Sequence, residues 1–218
     1  MNQNQGPATD LKLKGHKRAQ WLKTLLQWHW ISSALCLAGM LLFSITGFTL
    51  NHAGDIEARP QIHLQQAELP TGLLQLLETV EVPSSGQAPI PTPVANWLHD
   101  TRGVRAAERT AEWSEDEVYL SLPRPGGDAW LRIDRVNAEI EYEQTDRGWV
   151  AYFNDLHKGR HTGTAWSWFI DLFAFASLVF CITGLLILKV HAANRASVWP
   201  ITGLGLVVPV VLALLFIH

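Results

Sequence analysis

Five of the nine histidines lie at the ends of two long apolar runs, and they are the residues best placed to do chemistry. His29 and His191 share one side, whereas His52, His157 and His161 share the other. Ionisable side chains at membrane depth are costly and are functional candidates by default. A single histidine there is usually only interfacial, but five of them grouped by side favour a ligand site.

Two opposed neutral imidazoles are what a six-coordinate b-type haem requires, and helix bundles build such sites from facing helices. The five histidines are therefore candidate iron ligands for one or two haems b. Asp55 and Asp155 keep a metal-ion site open as a weaker alternative, since no cysteine accompanies these histidines. His29 and His52 would lie ~35 Å apart on a straight helix and point ~140° apart. We therefore expect His52 to lie beyond the last helical turn.

The elements that must position these histidines are membrane spans. Residues 31–50, 165–188 and 199–217 are almost wholly apolar, and ~20 helical residues cross a bilayer core. The first run starts too late, and lacks the cleavage site, for a secretory signal peptide. The sequence predicts a membrane α-helical fold with a small α+β domain inserted between helices 1 and 2. The predicted segments are 1–26 (cytoplasmic), 27–51 (helix 1), 52–164 (domain), 165–189 (helix 2), 190–198 (cytoplasmic loop) and 199–217 (helix 3).

Charge asymmetry predicts the orientation of these spans. Segment 1–26 carries five basic residues and one acidic residue, whereas segment 52–164 carries 18 acidic and 10 basic residues. By the positive-inside rule the N-terminus is cytoplasmic, and the 52–164 domain and the C-terminal His218 are periplasmic, in a bacterial inner membrane. The basic N-terminus is explained by topology and contact with anionic membrane lipid, so no nucleic-acid partner is expected.

The sequence predicts both helices and strands in the inserted domain. Residues 53–70 resemble a linker, 72–80 and 93–101 have helical periodicity, and 148–163 is a polar, glycine-containing stretch. Alternation with period two predicts an antiparallel meander of strands 117–122, 129–133 and 138–142.

The first two spans share a motif: Phe43-Ser44-Ile45-Thr46-Gly47 corresponds to Phe180-Cys181-Ile182-Thr183-Gly184. Because the two spans cross in opposite directions, this indicates an inverted repeat, with chance similarity of apolar helices as the alternative. Glycines 39, 47, 163 and 184 either let helix backbones approach closely or leave room for a flat macrocycle.

Trp28-His29-Trp30 with Thr46-Gly47, and Leu156-His157-Lys158-Gly159-Arg160 with Thr183-Gly184, resemble the PepSY-associated transmembrane family. The resemblance implies a periplasmic PepSY module and b-type haem held by histidines near the spans. It also implies similarity to larger members implicated in ferric-siderophore reduction. His29 and His157 match histidines of that family, whereas His52, His161 and His191 are assigned by pairing.

We expect electron transfer from a quinol or cytoplasmic donor to a periplasmic iron chelate or redox partner, in a monomer or homodimer. Whether the chain is an enzyme, as a haem-dependent ferric-siderophore-type reductase, stays open, because no flavin, nicotinamide or nucleophile motif is present. The alternatives are a non-enzymatic, membrane-anchored binding or accessory module and a transporter subunit.

Overall fold

The computed structural model describes residues 7–56, 59–107, 109–192 and 195–217, with side chains from residue 15 onward. In chain order the elements are α1 (Pro7–Asn51), β1 (Gln61–Glu68), α2 (Thr71–Glu78), β2 (Gln87–Pro89), α3 (Thr92–Arg102), β3 (Thr110–Trp113), β4 (Glu117–Ser121), β5 (Gly127–Asp134), β6 (Glu139–Asp146), α4 (Gly148–Lys158), α5 (Thr164–His191) and α6 (Val198–Phe216).

Three helices are long and apolar enough to cross a membrane, as predicted: Gly15–Asn51 within α1, α5 and α6. The helix α1 begins well before the predicted span 27–51, because the polar segment ahead of the apolar run is itself helical. None of the residues of α6 is buried within the described part of the chain. The chain is therefore a membrane-spanning protein with apolar helices that largely face away from the rest of the chain.

The chain forms two compact units. The first unit comprises Met1–Leu42 and Phe169–His218, and the second comprises Phe43–Trp168. Both α1 and α5 contribute one part to each unit. The second unit contains all six strands together with α2, α3 and α4.

The strands form one antiparallel sheet in the order β1-β6-β5-β4-β3-β2. The predicted meander is confirmed as β4, β5 and β6, and the two predicted helices are α2 and α3. The interpretation of 53–70 as a linker was wrong, since β1 lies there and pairs along its whole length with β6. Its side chains are almost all exposed, so the strand lacks the half-buried alternation that identifies a strand from sequence.

One face of the sheet carries the core. Alternate residues of β4 and β5 are buried, including Leu120, Leu131 and Ile133. Leu77 of α2 and Leu98 of α3 belong to the same apolar cluster and are fully buried. The sheet and these two helices thus form an α+β module with helices on one face.

Arg135 closes one end of this module. Its guanidinium is almost fully buried and donates hydrogen bonds to the carbonyl oxygens of Leu77 (3.0 Å), Val80 (2.8 Å) and Ser114 (2.8 Å). It also lies 5.5 Å from the centre of the Trp113 ring. A cation at the carboxyl end of a helix is favourable, and here it binds the carbonyl of Leu77, the penultimate residue of α2.

We expect Arg135→Met to lower the free energy of unfolding by roughly 2–4 kcal/mol, because three backbone carbonyls lose their charged donor. Arg132→Met is the matched control, since Arg132 makes partly exposed ion pairs with Glu117 and Glu141 that contribute about 0–1 kcal/mol. Thermal unfolding of the full chain in detergent measures both variants. Equal losses for the two variants would contradict the role assigned to Arg135.

The β5–β6 turn depends on a carboxylate. Asp134 Oδ1 accepts hydrogen bonds from the backbone N–H groups of Val136 and Asn137, each at 2.8 Å. These bonds hold the pKa of Asp134 below its usual value, since they favour the charged form.

A lowered folded-state pKa adds stability above the unfolded value of about 3.9, and that stability is lost as the pH falls through the folded value. Asp134→Ala should therefore be less stable than the native chain at neutral pH. The difference should shrink as the pH falls below ~4. Unfolding midpoints measured across this pH range check the expectation, which fails if the difference is constant with pH.

Candidate functional site

In the first unit, His29 of α1 lies against the shared motif of α5. Its Nδ1 is 3.0 Å from Thr183 Oγ1, and its ring stacks on Phe180 with centroids 4.8 Å apart. A Cβ added at Gly184 would lie 3.4 Å from His29 Cε1. Phenylalanine, threonine and glycine of the motif therefore all face one imidazole.

In the second unit, His157 of α4 meets the same three positions of the motif in α1. Its Nδ1 is 2.6 Å from Thr46 Oγ1, its ring lies 4.8 Å from that of Phe43, and a Cβ at Gly47 would be 3.6 Å from His157 Cε1. The repeat noticed in the sequence is thus a repeated histidine-holding site.

Each threonine is placed to accept a hydrogen bond from its histidine. Thr183 Oγ1 lies 2.7 Å from the carbonyl oxygen of Val179 in its own helix, and Thr46 Oγ1 lies 3.2 Å from that of Phe43. A hydroxyl has one proton, and when the threonine gives that proton to the helix carbonyl, its oxygen accepts from histidine Nδ1. In that arrangement Nδ1 carries the proton in both His29 and His157.

This tautomer leaves the lone pair on Nε2. Neither Nε2 makes a hydrogen bond to any residue that the structure describes. Neutral imidazole with its other nitrogen donating to an oxygen is the form that binds metals, and the donated hydrogen bond fixes the ring orientation.

In His52 and His191, too, Nδ1 faces an acceptor. His191 Nδ1 lies 3.0 Å from the carbonyl oxygen of Ile187, and His52 Nδ1 lies 3.1 Å from Asp55 Oδ2. A carbonyl and a carboxylate oxygen only accept, so Nδ1 is the donor in both. His52 directly follows the last residue of α1, which confirms that it lies beyond the last helical turn.

His161 differs from the other four. It is exposed, adopts a positive φ of 57°, and forms no hydrogen bond or ring contact with the described residues. Within either unit, no hydrogen bond or ring contact joins two of the five predicted histidines. The described residues also contain no group of three or more His, Cys, Asp or Glu side chains placed to hold a metal ion. Asp155 is engaged elsewhere, accepting the backbone N–H of Gly126 at 2.9 Å.

Sequence analysis missed the role of Thr46, Thr183, Phe43 and Phe180 as the histidines' neighbours. The repeat itself was the signal, since both copies keep the same three positions. Of the other two glycines, Gly39 faces Phe173, where a Cβ would lie 2.5 Å from the ring. A Cβ added at Gly163 would meet nothing within 4 Å, and the residue has a φ of +79°, so it serves a backbone turn and not a helix contact.

A double-mutant cycle on His29→Ala and Thr183→Val tests the first site without any cofactor. We expect a coupling energy of about 0.6–1.7 kcal/mol, the range for hydrogen bonds between membrane helices. Thr183→Ser is the control, since it keeps the hydroxyl and should stay close to the native stability. Denaturation in detergent micelles supplies the free energies, and a coupling indistinguishable from zero would refute the hydrogen bond.

Comparison with known proteins identifies a family for this chain. Residues 20–218, nearly the whole chain, match the family model described as "Putative PepSY_TM-like". No curated protein and no solved structure matches the chain. The match includes both copies of the motif and both histidines that they hold. The chain therefore belongs to the PepSY_TM-like family, a group of PepSY-associated transmembrane proteins.

Proposed function

We propose that this chain is a b-type haem protein that transfers electrons across the bacterial inner membrane to a periplasmic acceptor. The observation that carries the proposal is the pair of equivalent sites at His29 and His157. In each, Nδ1 lies within hydrogen-bond distance of a threonine that also contacts a carbonyl of its own helix, and Nε2 forms no hydrogen bond with the described residues.

The residues present fit haem by the chemistry of their donors. Each unit contains more than one histidine with an available Nε2: His29 and His191 in the first, His157 and His52 in the second. These four would hold the haem iron, and His161 would substitute only if its loop moved. When bound, haem would supply one-electron chemistry.

The protein's own contribution is to set ligand basicity and orientation. A hydrogen bond from Nδ1–H to an oxygen makes the imidazole a stronger donor and fixes its orientation. The Phe43 and Phe180 rings limit the rotation of each imidazole from the side. The first effect would favour oxidised iron, and the second would reduce the rearrangement of the ligand during electron transfer.

A groove in the α+β module is the best candidate for the acceptor. It has a volume of about 740 Å³ and is lined by Arg105, Arg109, Arg124, Tyr142 and Gln144 among others. Arg124 pairs with Asp146, whereas Arg105 and Arg109 make no ion pair with the residues that the structure describes. Three guanidinium groups suit an anionic ligand. An anionic ferric chelate is therefore the acceptor class that we propose.

The absorption spectrum of the protein purified from haem-replete cells tests the proposal. We expect a Soret band that sharpens on reduction. His29→Ala and His157→Ala should each lose haem, whereas His63→Ala, an exposed position on β1, should keep it. Thr46→Val and Thr183→Val should weaken haem binding by about 10–100-fold, the usual cost of losing the partner of a metal-bound histidine.

A colourless protein would refute the proposal and favour the non-enzymatic alternative, in which the spans only anchor a binding module. Full haem retention in both the His29→Ala and His157→Ala variants would refute the ligand assignment while leaving haem binding intact.

A further inference from the structure

The helix α4 has its polarity reversed relative to a helix of a water-soluble domain. Its buried residues are polar, Asn154 and Asp155, each about 7% exposed. Most of its exposed residues are apolar, and Trp149 is 77% exposed. A helix beside water shows the opposite distribution.

Specific hydrogen bonds fix this rotation of α4. Thr49 Oγ1 donates to Asn154 Oδ1 at 2.9 Å, and the backbone N–H of Gly126 donates to Asp155 Oδ2 at 2.9 Å. Gly126 has a φ of +72°, and a Cβ there would lie 2.7 Å from the Tyr152 backbone. The helix therefore has its polar side bound to protein, and its aromatic side has to face outward.

The same contacts set the depth of α4. Thr49 lies in the last turn of a candidate span that ends at Asn51. The C-terminal end of α4 lies close to the next span, because only five residues separate it from the start of α5. Trp166 in the first turn of α5 donates from Nε1 to the carbonyl of Leu156 at 2.9 Å. The hydrogen bonds to Thr49 and Trp166 thus hold α4 beside the end of one candidate span and the start of the next.

The exposed rings form one cluster. Trp149 lies 5.9 Å from Tyr152 and 6.4 Å from Phe153, and Tyr152 lies 5.7 Å from Phe153. Tryptophan and tyrosine are enriched at the headgroup level of bilayers.

Charge around the helix is positive although the 52–164 segment is acidic. Arg147 precedes α4, and Lys158 and Arg160 occupy and follow its last turn, all exposed. The one acidic residue of the helix, Asp155, is buried. Three exposed cations close to a membrane surface attract anionic lipid headgroups.

We propose that Trp149, Val150, Tyr152 and Phe153, the aromatic face of α4, lie in the boundary between lipid headgroups and acyl chains. The helix α4 is then an interfacial amphipathic helix. Its last turns present His157 to Thr46, so the lipid surface supports the position of that histidine. The proposal rests on the membrane spans and holds whether or not haem binds.

Nitroxide labels on the full chain in phosphatidylethanolamine–phosphatidylglycerol vesicles test this placement. Labels are attached to Trp149→Cys and, separately, Phe153→Cys, in a Cys36→Ala, Cys181→Ala background. Val136→Cys is the matched control, since Val136 is 67% exposed in the β5–β6 turn. Circular dichroism checks that each variant keeps the native fold, and the two α4 positions serve as replicates if one variant fails to fold.

We expect labels at 149 and 153 to collide severalfold more often with oxygen than with a water-soluble nickel chelate, and the label at 136 to show the reverse. Two results would overturn the proposal. Nickel accessibility at 149 and 153 equal to that at 136 would place α4 in water. Low accessibility to both reagents would mean that a protein surface, from a second copy or another partner, covers the aromatic face.

Discussion

One hydrogen bond from a threonine hydroxyl to an imidazole Nδ1 positions the histidine at each site, Thr183 with His29 at 3.0 Å and Thr46 with His157 at 2.6 Å. Each hydroxyl also lies within hydrogen-bond distance of a carbonyl of its own helix. A hydroxyl that gives its one proton to that carbonyl accepts from Nδ1. In a medium without water no solvent molecule replaces either bond, so the orientation of His29 and His157 follows from these contacts.

The rest of each site adapts to that hydrogen bond. Glycine follows threonine in both copies, and a Cβ added at either glycine would be in van der Waals contact with the histidine Cε1. Phenylalanine, three residues before threonine, lies against the imidazole ring. The repeat thus conserves a way of holding an imidazole, although one histidine comes from a membrane span and the other from α4.

The α+β module and the second histidine site are mechanically connected within one unit. The turn at Gly126 binds Asp155, the neighbouring Asn154 binds Thr49, and His157 lies two residues after Asp155. A change at the sheet that moved α4 would therefore move His157. The α+β module thus fixes the angle at which His157 meets Thr46.

Hydropathy and charge determined the three spans, and period-two alternation determined β4 to β6, because both properties depend only on neighbouring residues. The five histidines were found for the same reason, as polar residues at the ends of apolar runs. The strand β1 escaped notice because its side chains are exposed and its place in the sheet depends on β6. The helix α4 escaped notice because its polar residues face protein and its apolar residues face outward.

Only the tertiary structure decided which side chain meets which. His29 and Thr183 are 154 residues apart, and Thr46 and His157 are 111 apart. The sequence contained the motif but not its partner, since that depends on the rotation of each helix about its axis and on packing between distant segments. The sequence alone therefore established a membrane protein with histidines at its boundaries, and the fold established that two of them each meet the threonine and the phenylalanine of a repeated motif.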